Sequence, residues 1–304
     1  MKGTIILFCI LPCVICGTHL PEPRRSSLFA VTNAEIQGIS QQLNAADVNK
    51  AEPGDITINL QYKVNSNQTG AGTDYASQKL FSYVNETKLF SLPTYSRFLA
   101  LLDNYVKGTG TLEIVNSTEV EEQTAFIDEI FKTSIFSILS NFLIAKGYYT
   151  SVESFKDDLK EMWFGLYTRS KGPLDSSGFE HVFTGEIQRK KVSGFHNWVQ
   201  LYLQEKSGQV NYLSYSVNKT RDNFPGVLAF QYKWSSYLKN LGSFFIGSSP
   251  EFDVAIYTLC YITRRDKGCP VRLGSISLQI QTHSWTNSFY GNGKRYLASS
   301  YPKI

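Results

Sequence analysis

The chain has 304 residues, of which 42% are hydrophobic and 18% are charged, and its formal net charge is +4. This length suffices for one large domain or two closely packed lobes, and the absence of internal repeats and low-complexity tracts excludes a repeat architecture. Residues 1–170 carry 14 Lys/Arg and 18 Asp/Glu, whereas residues 171–304 carry 16 and 8, so the charge divides into −4 and +8. A basic half rich in aromatic residues suits a polyanion such as RNA, although on charge alone a solvated surface without a partner is the better interpretation.

The first segment predicts export from the cell. Lys2 precedes an apolar run over residues 4–16, and the small residues Gly17 and Thr18 follow it. This pattern is typical of a signal peptide, which we place at residues 1–17 with cleavage near Cys16–Gly17. The run is shorter than the roughly 20 residues that cross a bilayer, so an uncleaved anchor is the weaker alternative. No later segment of the sequence has the length and apolarity of a membrane span, and we therefore expect a secreted protein without stable membrane insertion.

Glycosylation sequons and cysteines agree with an oxidising export route. Of five cysteines, three lie in the predicted signal peptide, which leaves Cys260 and Cys269 in the mature chain. Two cysteines in an exported protein favour a single disulfide over a catalytic thiol. The four Asn-x-Ser/Thr sequons are candidate glycosylation sites, namely Asn67, Asn85, Asn116 and Asn218.

The N-terminal half is predicted to be mainly helical. Residues 18–30, which include Pro21 and Pro23, are expected to form a loose leader. Behind the leader, helical spacing of apolar residues and N-cap residues recur through the chain. The predicted helices cover residues 32–49, 75–84, 94–105, 118–146 and 151–167.

The pattern changes after Gly172, where glycine, serine and aromatic residues increase. Short β-prone runs predict strands over residues 210–217, 227–234, 271–281 and 295–301. Two helices interrupt them, one over 195–206 and one that begins at Ser249 as N-cap with Pro250 at its first position. Helices first and antiparallel strands later predict an α+β protein, with a helical lobe over 31–170 and a lobe of antiparallel sheets with flanking helices over 171–304.

Several enzyme classes are excluded by their motifs. The sequence has no HExxH zinc motif and no GxSxG nucleophile elbow. Gly242 and Gly247 have the glycine spacing of a phosphate-binding loop, but Ser248 and Ser249 follow where Lys-Ser/Thr is required. Neither a zinc protease, a serine hydrolase of that type nor a P-loop enzyme is therefore expected.

Histidine is scarce, and two of the four histidines stand in similar surroundings. His181 and His196 each follow a Gly-Phe step, separated from it by Glu180 in the first case. A glycine lets the backbone approach a ligand closely, and aromatic neighbours exclude water. Considered alone, each histidine is more often a hydrogen-bonded core residue than a catalytic one. The functional interpretation is a general base and general acid pair, because imidazole titrates near neutral pH.

RNA is a substrate for which such a pair suffices, because the ribose 2′-hydroxyl supplies the nucleophile. The enzyme must remove that proton, protonate the leaving 5′-oxygen and stabilise charge on the phosphate. Lys239, placed near the end of a predicted strand, is the candidate cation, and Lys233 is the alternative. Most such lysines are solvated surface charges.

The sequence resembles the EndoU family, whose members cleave single-stranded RNA at uridylates. The matching segments read GFEHVFTGEI (178–187), SGFHNWVQLYLQEK (193–206), GSFFIGSSPEF (242–252) and SSYP (299–302). Similarity also extends through residues 39–55 of the N-terminal half, so it covers nearly all of the mature chain.

The resemblance implies roles for individual residues. It makes His181 and His196 the acid–base pair and Lys239 the cation that faces the phosphate. Ser243 and Tyr301 match positions that contact the uracil and its ribose, and Ser299 stands where many members have threonine. Two acidic positions tied to activity, through a metal ion or by orienting the histidines, correspond to Glu180 and Glu186.

The family also implies a divalent cation, Mn²⁺ most often and Ca²⁺ in some members, although the sequence gives no ligand set. We therefore expect a monomeric endoribonuclease acting on single-stranded, uridine-containing RNA and not on DNA. Cleavage by the 2′-hydroxyl would leave 2′,3′-cyclic phosphate and 5′-hydroxyl ends. The alternative is a catalytically weak secreted RNA- or ligand-binding protein on the same fold.

Overall fold

The computed structural model describes residues 30–220 and 224–304, and residues 31–304 form one compact unit. The predicted signal peptide and residues 18–29 of the predicted leader lie outside the described residues. Within the described part of the chain, no helix is long and apolar enough to cross a membrane.

The N-terminal half is mainly helical, as predicted. Thr32 begins the first helix, because its side chain accepts a hydrogen bond from the amide of Glu35 while the Glu35 carboxylate accepts one from the Thr32 amide. The elements in order are α1 (Asn33–Ala46), β1 (Ile56–Ile58), a 3₁₀ turn (Ser66–Gln68), β2 (Phe81–Val84), α2 (Glu86–Leu89), α3 (Pro93–Ala100), α4 (Ser117–Ile130), α5 (Ser134–Ala145) and α6 (Val152–Phe164).

Two of the helix predictions are wrong. Residues 81–84 of the predicted helix 75–84 form β2, which pairs antiparallel with β1. The amides of Leu80 and Phe81 donate to the buried carboxylate of Glu205, at 2.7 and 2.9 Å, so a distant residue holds this segment extended. The predicted helix 118–146 is two helices, because the Thr133 hydroxyl donates to the carbonyl of Ile130 and caps α5.

The C-terminal half consists mainly of antiparallel strands. Its elements in order are a π-helical turn (Glu180–Thr184), β3 (Glu186–Gln188), β4 (Lys191–Ser193), α7 (Trp198–Lys206), β5 (Val210–Asn218), β6 (Gly226–Trp234), β7 (Tyr237–Ile246), α8 (Pro250–Thr263), β8 (Gly268–Leu273), β9 (Ile276–Tyr290) and β10 (Lys294–Lys303). The strands form two three-stranded sheets, with strand orders β5–β6–β7 and β10–β9–β8, and a small hairpin of β3 and β4. The α+β class is therefore confirmed.

Strand β7 was not predicted, because Gly242 interrupts its β-prone residues. The glycine is required by packing, since a Cβ atom there would lie 2.8 Å from the ring of Phe244 and 2.9 Å from that of Tyr232. Most of the segment that has the glycine spacing of a phosphate loop, residues 242–246, is thus the buried end of β7.

Helices α1 and α8 pack on one side of the β8–β10 sheet, where Val271 and Ile280 are fully buried. A disulfide joins Cys260 on α8 to Cys269 on β8, as predicted, with their Cα atoms 5.5 Å apart. Strand β7 contacts β10 and β4, and the π-helical turn contacts β10. The segments that carry the predicted site residues therefore meet where the two sheets and the hairpin join.

Candidate active site

The two histidine segments are bonded to each other through their backbones. The amide of Phe195 donates to the carbonyl of His181 at 2.8 Å, and the amide of His196 donates to the carbonyl of Val182 at 2.7 Å. Gly194 makes this approach possible, because a Cβ atom at this residue would lie 1.8 Å from the His181 carbonyl oxygen and its φ is +62°. Gly194 was expected to let the backbone approach a ligand. In the structure it instead lets two backbone segments approach each other.

His181 is held by a buried carboxylate. Its Nδ1 lies 2.8 Å from Oε2 of Glu186, and the same oxygen lies 3.1 Å from Nε of Arg169. The hydroxyl of Ser176 donates to the other oxygen of Glu186. Burial acts to raise the pKa of Glu186, but His181 and Arg169 lower it below its usual value. Because the carboxylate is ionised and only accepts, Nδ1 of His181 carries a proton and Nε2 is left for a ligand.

Burial and the nearby guanidinium of Arg169 lower the pKa of His181 to about 4, although Glu186 acts in the opposite direction. The histidine is therefore neutral in the free protein near pH 7. A carboxylate partner nevertheless makes protonation easier once a negatively charged ligand is bound.

His196 has a different set of partners. Its Nδ1 lies 3.0 Å from the backbone carbonyl of Ser243, which fixes the proton on Nδ1, and its ring stacks on Tyr301 with centroids 4.9 Å apart. Burial and the charge of Lys239 lower the pKa of His196 well below its usual value. Like His181, this histidine presents an unprotonated Nε2 when it is neutral.

Lys239 is the predicted cation that lies beside both histidines. Its ammonium donates to the carbonyl of Gly194 at 2.6 Å, and burial lowers its pKa to about 8. Lys239, Leu241 and Ser243 alternate along β7 and so point to the same side of the strand. The alternative candidate, Lys233 on β6, does not line the cavity that contains Lys239.

One cavity of about 390 Å³ brings the predicted residues together. It contains all three predicted catalytic residues and all three predicted substrate-binding residues. Three further lining residues, His283, Lys303 and Leu241, were not predicted, and only the scarcity of histidine could have indicated the first. The lining residues are His181, Gly194, His196, Ala229, Lys239, Leu241, Ser243, His283, Ser299, Tyr301, Pro302, Lys303 and Ile304.

Glu180 is fully buried and does not line this cavity. Both of its carboxylate oxygens are buried without a hydrogen-bond partner among the described residues. Burial raises the pKa of Glu180, as does the negative charge of Glu186. The two acidic residues therefore differ, because Glu186 is an ionised partner of His181 and Glu180 favours the neutral form.

The described residues do not offer a ready-made site for the expected Mn²⁺ or Ca²⁺. No group of three or more His, Cys, Asp or Glu side chains within ranges 30–220 and 224–304 is arranged to hold a metal ion. The best-placed carboxylate, Glu186, is already bonded to His181, Arg169 and Ser176. The residues present thus do not fit a preformed metal centre.

The four sequon asparagines differ in accessibility. Asn67, Asn116 and Asn218 are exposed. Asn85 is half-buried, accepts from the amide of Lys88 and donates to Asp55 as the cap of α2. Three of the four positions could thus carry a glycan without loss of a contact to the fold's interior.

Comparison with known proteins relates this arrangement to a family. A family model described as endoribonuclease XendoU matches residues 35–302. Uridylate-specific endoribonuclease D of Xenopus laevis is 65% identical over 305 residues, with 100% of each chain covered. A uridylate-specific endoribonuclease of Mus musculus is 48% identical over 285 residues, which cover 94% of this chain and 68% of the mouse protein. The solved structure of XendoU, a splicing independent snoRNA processing endoribonuclease, matches with a TM-score of 0.74 and 37% identity, covering 90% of this chain and 97% of that one.

Proposed function

Because the chain belongs to the XendoU family of endoribonucleases, we propose that it cleaves single-stranded RNA at uridylates by attack of the ribose 2′-hydroxyl. The observation that carries this proposal is the meeting of His181, His196 and Lys239 in one cavity. Both histidines use Nδ1 for protein contacts, which leaves each Nε2 for the substrate. The products would be a 2′,3′-cyclic phosphate and a 5′-hydroxyl.

The two histidines have different hydrogen-bond partners, and this difference gives each a different role in proton transfer. A carboxylate stabilises an imidazolium more than a carbonyl does, so His181, paired with Glu186, takes up a proton more readily than His196, paired with the Ser243 carbonyl. A bound phosphate raises the pKa of both histidines, and His181 becomes protonated first. We therefore assign His181 as the general acid for the leaving 5′-oxygen and His196 as the general base for the 2′-hydroxyl.

Lys239 provides positive charge where the phosphate gains negative charge. Its side chain is half-buried in the cavity, so the interaction with a phosphate oxygen is less screened by water than at the surface. The carbonyl of Gly194 orients the ammonium before substrate binds, which reduces reorganisation during the reaction.

The uridine would occupy the part of the cavity formed by Ser243, Ser299 and Tyr301. A serine hydroxyl can bond to the polar edge of uracil, and Tyr301 offers a ring face and a hydroxyl to base and sugar. The intact catalytic residues favour an active enzyme over the alternative, a catalytically weak binding protein on the same fold.

The decisive experiment compares two RNAs that differ by one atom. An oligonucleotide with a single uridine should be cut into a cyclic phosphate and a 5′-hydroxyl end, whereas the same RNA with 2′-deoxyuridine should stay intact. Cleavage of the deoxy RNA, or a 5′-phosphate product, would show that water attacks and that the histidine pair is misassigned.

Variants test the residues themselves. Replacement of either histidine by alanine should slow cleavage by about 10²–10⁴-fold, the usual contribution of one proton transfer. Lys239→Ala should be similarly impaired. Lys233→Ala is the matched control, because Lys233 lies on the neighbouring strand without lining the cavity. Equal losses in both lysine variants would contradict the assignment of Lys239.

Export, glycosylation, oligomeric state and metal dependence belong to the same proposal. The disulfide between Cys260 and Cys269 and the exposed sequons support secretion after removal of residues 1–17. Mass spectrometry of the mature protein would test the cleavage site and the glycans, and chromatography with light scattering would test the expected monomer. The cation requirement rests on resemblance alone, and chelation followed by addition of Mn²⁺ or Ca²⁺ would test it.

A further inference from the structure

The cavity opens onto a sheet face of which the assigned site residues, Ser299 and Tyr301, occupy only the β10 edge. On β10, Ser299, Tyr301 and Lys303 alternate and therefore share one face. The residues opposite them on β9 are His283, Gln281 and Gln279, and opposite residues of an antiparallel pair lie on the same side. The face that lines the cavity at Ser299 and Tyr301 thus continues across β9.

This face extends onto the third strand. Gly268, Pro270 and Arg272 of β8 lie opposite Gln281, Gln279 and Ser277. The other side of the same strands packs against the helices, and its residues Val271, Leu278 and Ile280 are buried. From His283 to Ser277 the face runs for roughly 20 Å at the usual rise of a strand.

The chemistry of this face suits a nucleic-acid strand. His283, Gln279, Lys303 and Arg272 are exposed, and none of the paired residues on the face carries a carboxylate. Two cations can meet phosphates, and glutamine side chains can bond to base edges. An antiparallel sheet often turns a polar face to water, but here two of its residues, His283 and Lys303, also line the catalytic cavity.

Three aromatic rings connect the cavity to this exposed face of the sheet. His196 stacks on Tyr301, and Tyr301 in turn lies nearly parallel to His283, with centroids 6.1 Å apart and an interplanar angle of 28°. A row of rings therefore leads from the catalytic histidine to an exposed imidazole. A planar ring at the mouth of a nuclease cavity is a platform on which a neighbouring base can stack.

We propose that the open face of the β8–β10 sheet is a second RNA-binding subsite that holds nucleotides adjoining the cleaved uridine. His283 stacks on a flanking base, and Lys303 and Arg272 contact the phosphates that follow it. This inference rests on the proposed RNA cleavage, which it extends from one nucleotide to several.

The test uses binding, so that it does not depend on catalysis. The probe is a labelled oligoadenylate of about 12 nucleotides, within the range of single-strand binding sites, with one central 2′-deoxyuridine. 2′-Deoxyuridine 3′-monophosphate, which lacks the neighbouring nucleosides, is the short probe. His283→Ala should weaken binding of the long probe about tenfold, as expected for the loss of one stacked base. In Lys303→Ala and in Arg272→Ala, the slope of log Kd for the long probe against log salt concentration should in each case be smaller by about 0.7 than in the wild-type protein.

The short probe and a control lysine separate the subsite from its alternatives. Lys132→Ala removes the same charge from the exposed junction of α4 and α5 and should change neither probe. Each subsite variant should weaken the long probe more than the short one. Equal losses on both probes would place the residues in the uridine pocket alone, and unchanged affinity for the long probe would show that the face takes no part in RNA binding. Either result overturns the inference, whereas failure of wild-type protein to cut uridine-containing RNA would overturn the proposed function separately.

Discussion

Glu186 offers the sharpest test of how the site controls proton transfer. In Glu186→Gln, the carboxylate that contacts His181 at 2.8 Å becomes a neutral amide of nearly the same shape. His181 must carry a positive charge at one stage of the reaction, and the variant no longer stabilises that charge. With charge centres roughly 4 Å apart and an effective dielectric constant of about 20, the lost interaction is about 4 kcal/mol. Since 1.36 kcal/mol corresponds to about a tenfold change in rate, kcat should fall by about 10³-fold.

The pH profile of the same variant separates catalysis from folding. Glu186 acts to raise the pKa of His181, so its neutralisation should lower that pKa further and move the pH of maximal kcat downwards. Glu205→Gln is the matched control. Glu205 is also buried, but it accepts hydrogen bonds from the amides of Leu80 and Phe81 and does not line the cavity. That variant should lower the melting temperature and leave the pH optimum in place. If Glu186→Gln lost activity without a shift of its optimum, the carboxylate would be a structural residue and the proton-transfer reasoning would fail.

Three further predictions follow from the site and its surroundings. Because Lys239 has a pKa of about 8 and is proposed to act in its charged form, kcat/KM should decline more steeply as the pH rises through about 8, and Lys239→Arg should remove this additional decline from the pH–rate profile. Ser243→Ala should reduce the preference for uridine over cytidine about tenfold in competition assays, since it removes the buried hydroxyl that we propose reads the base but leaves the carbonyl that holds His196. Burial and the charge of Glu251 raise the pKa of Asp47 to about 7, so this residue destabilises the fold progressively as the pH rises from about 4 to about 7. Asp47→Asn should therefore increase the free energy of unfolding by about 2–4 kcal/mol in urea titrations at pH 8 and have little effect at pH 4.

Local signals in the sequence predicted the elements whose ends depend on nearby residues. Ser249 and Pro250 begin α8 as expected, because the serine hydroxyl accepts from the amide of Phe252 three residues later. The segment 75–84 was predicted wrongly, since the residue that holds it extended, Glu205, is more than 120 positions away. Neither apolar spacing nor turn residues record such a contact. The extended conformation there could not be predicted from the segment itself.

The candidate site likewise contains residues that the sequence could predict and residues that it could not. Scarcity of histidine and the family resemblance selected His181, His196 and Lys239, and the structure brings all three to one cavity. The partner of His181 could not be identified from spacing alone, because Glu186 reaches it through a π-helical turn that has no sequence pattern of its own. Arg169 had no local signal at all, although it contacts Glu186 and the carbonyl of Ala298.

The position of β10 in the chain has a consequence for how the protein is made. His196 precedes Tyr301 by about a hundred residues, so at typical rates of synthesis the two histidines exist roughly 5–20 seconds before the tyrosine that packs on them. During that interval the nascent polypeptide lacks β10, whose residues complete the lining of the cavity. A ribosome therefore carries a growing chain in which His181 and His196 are already present but the cavity that contains them cannot yet form.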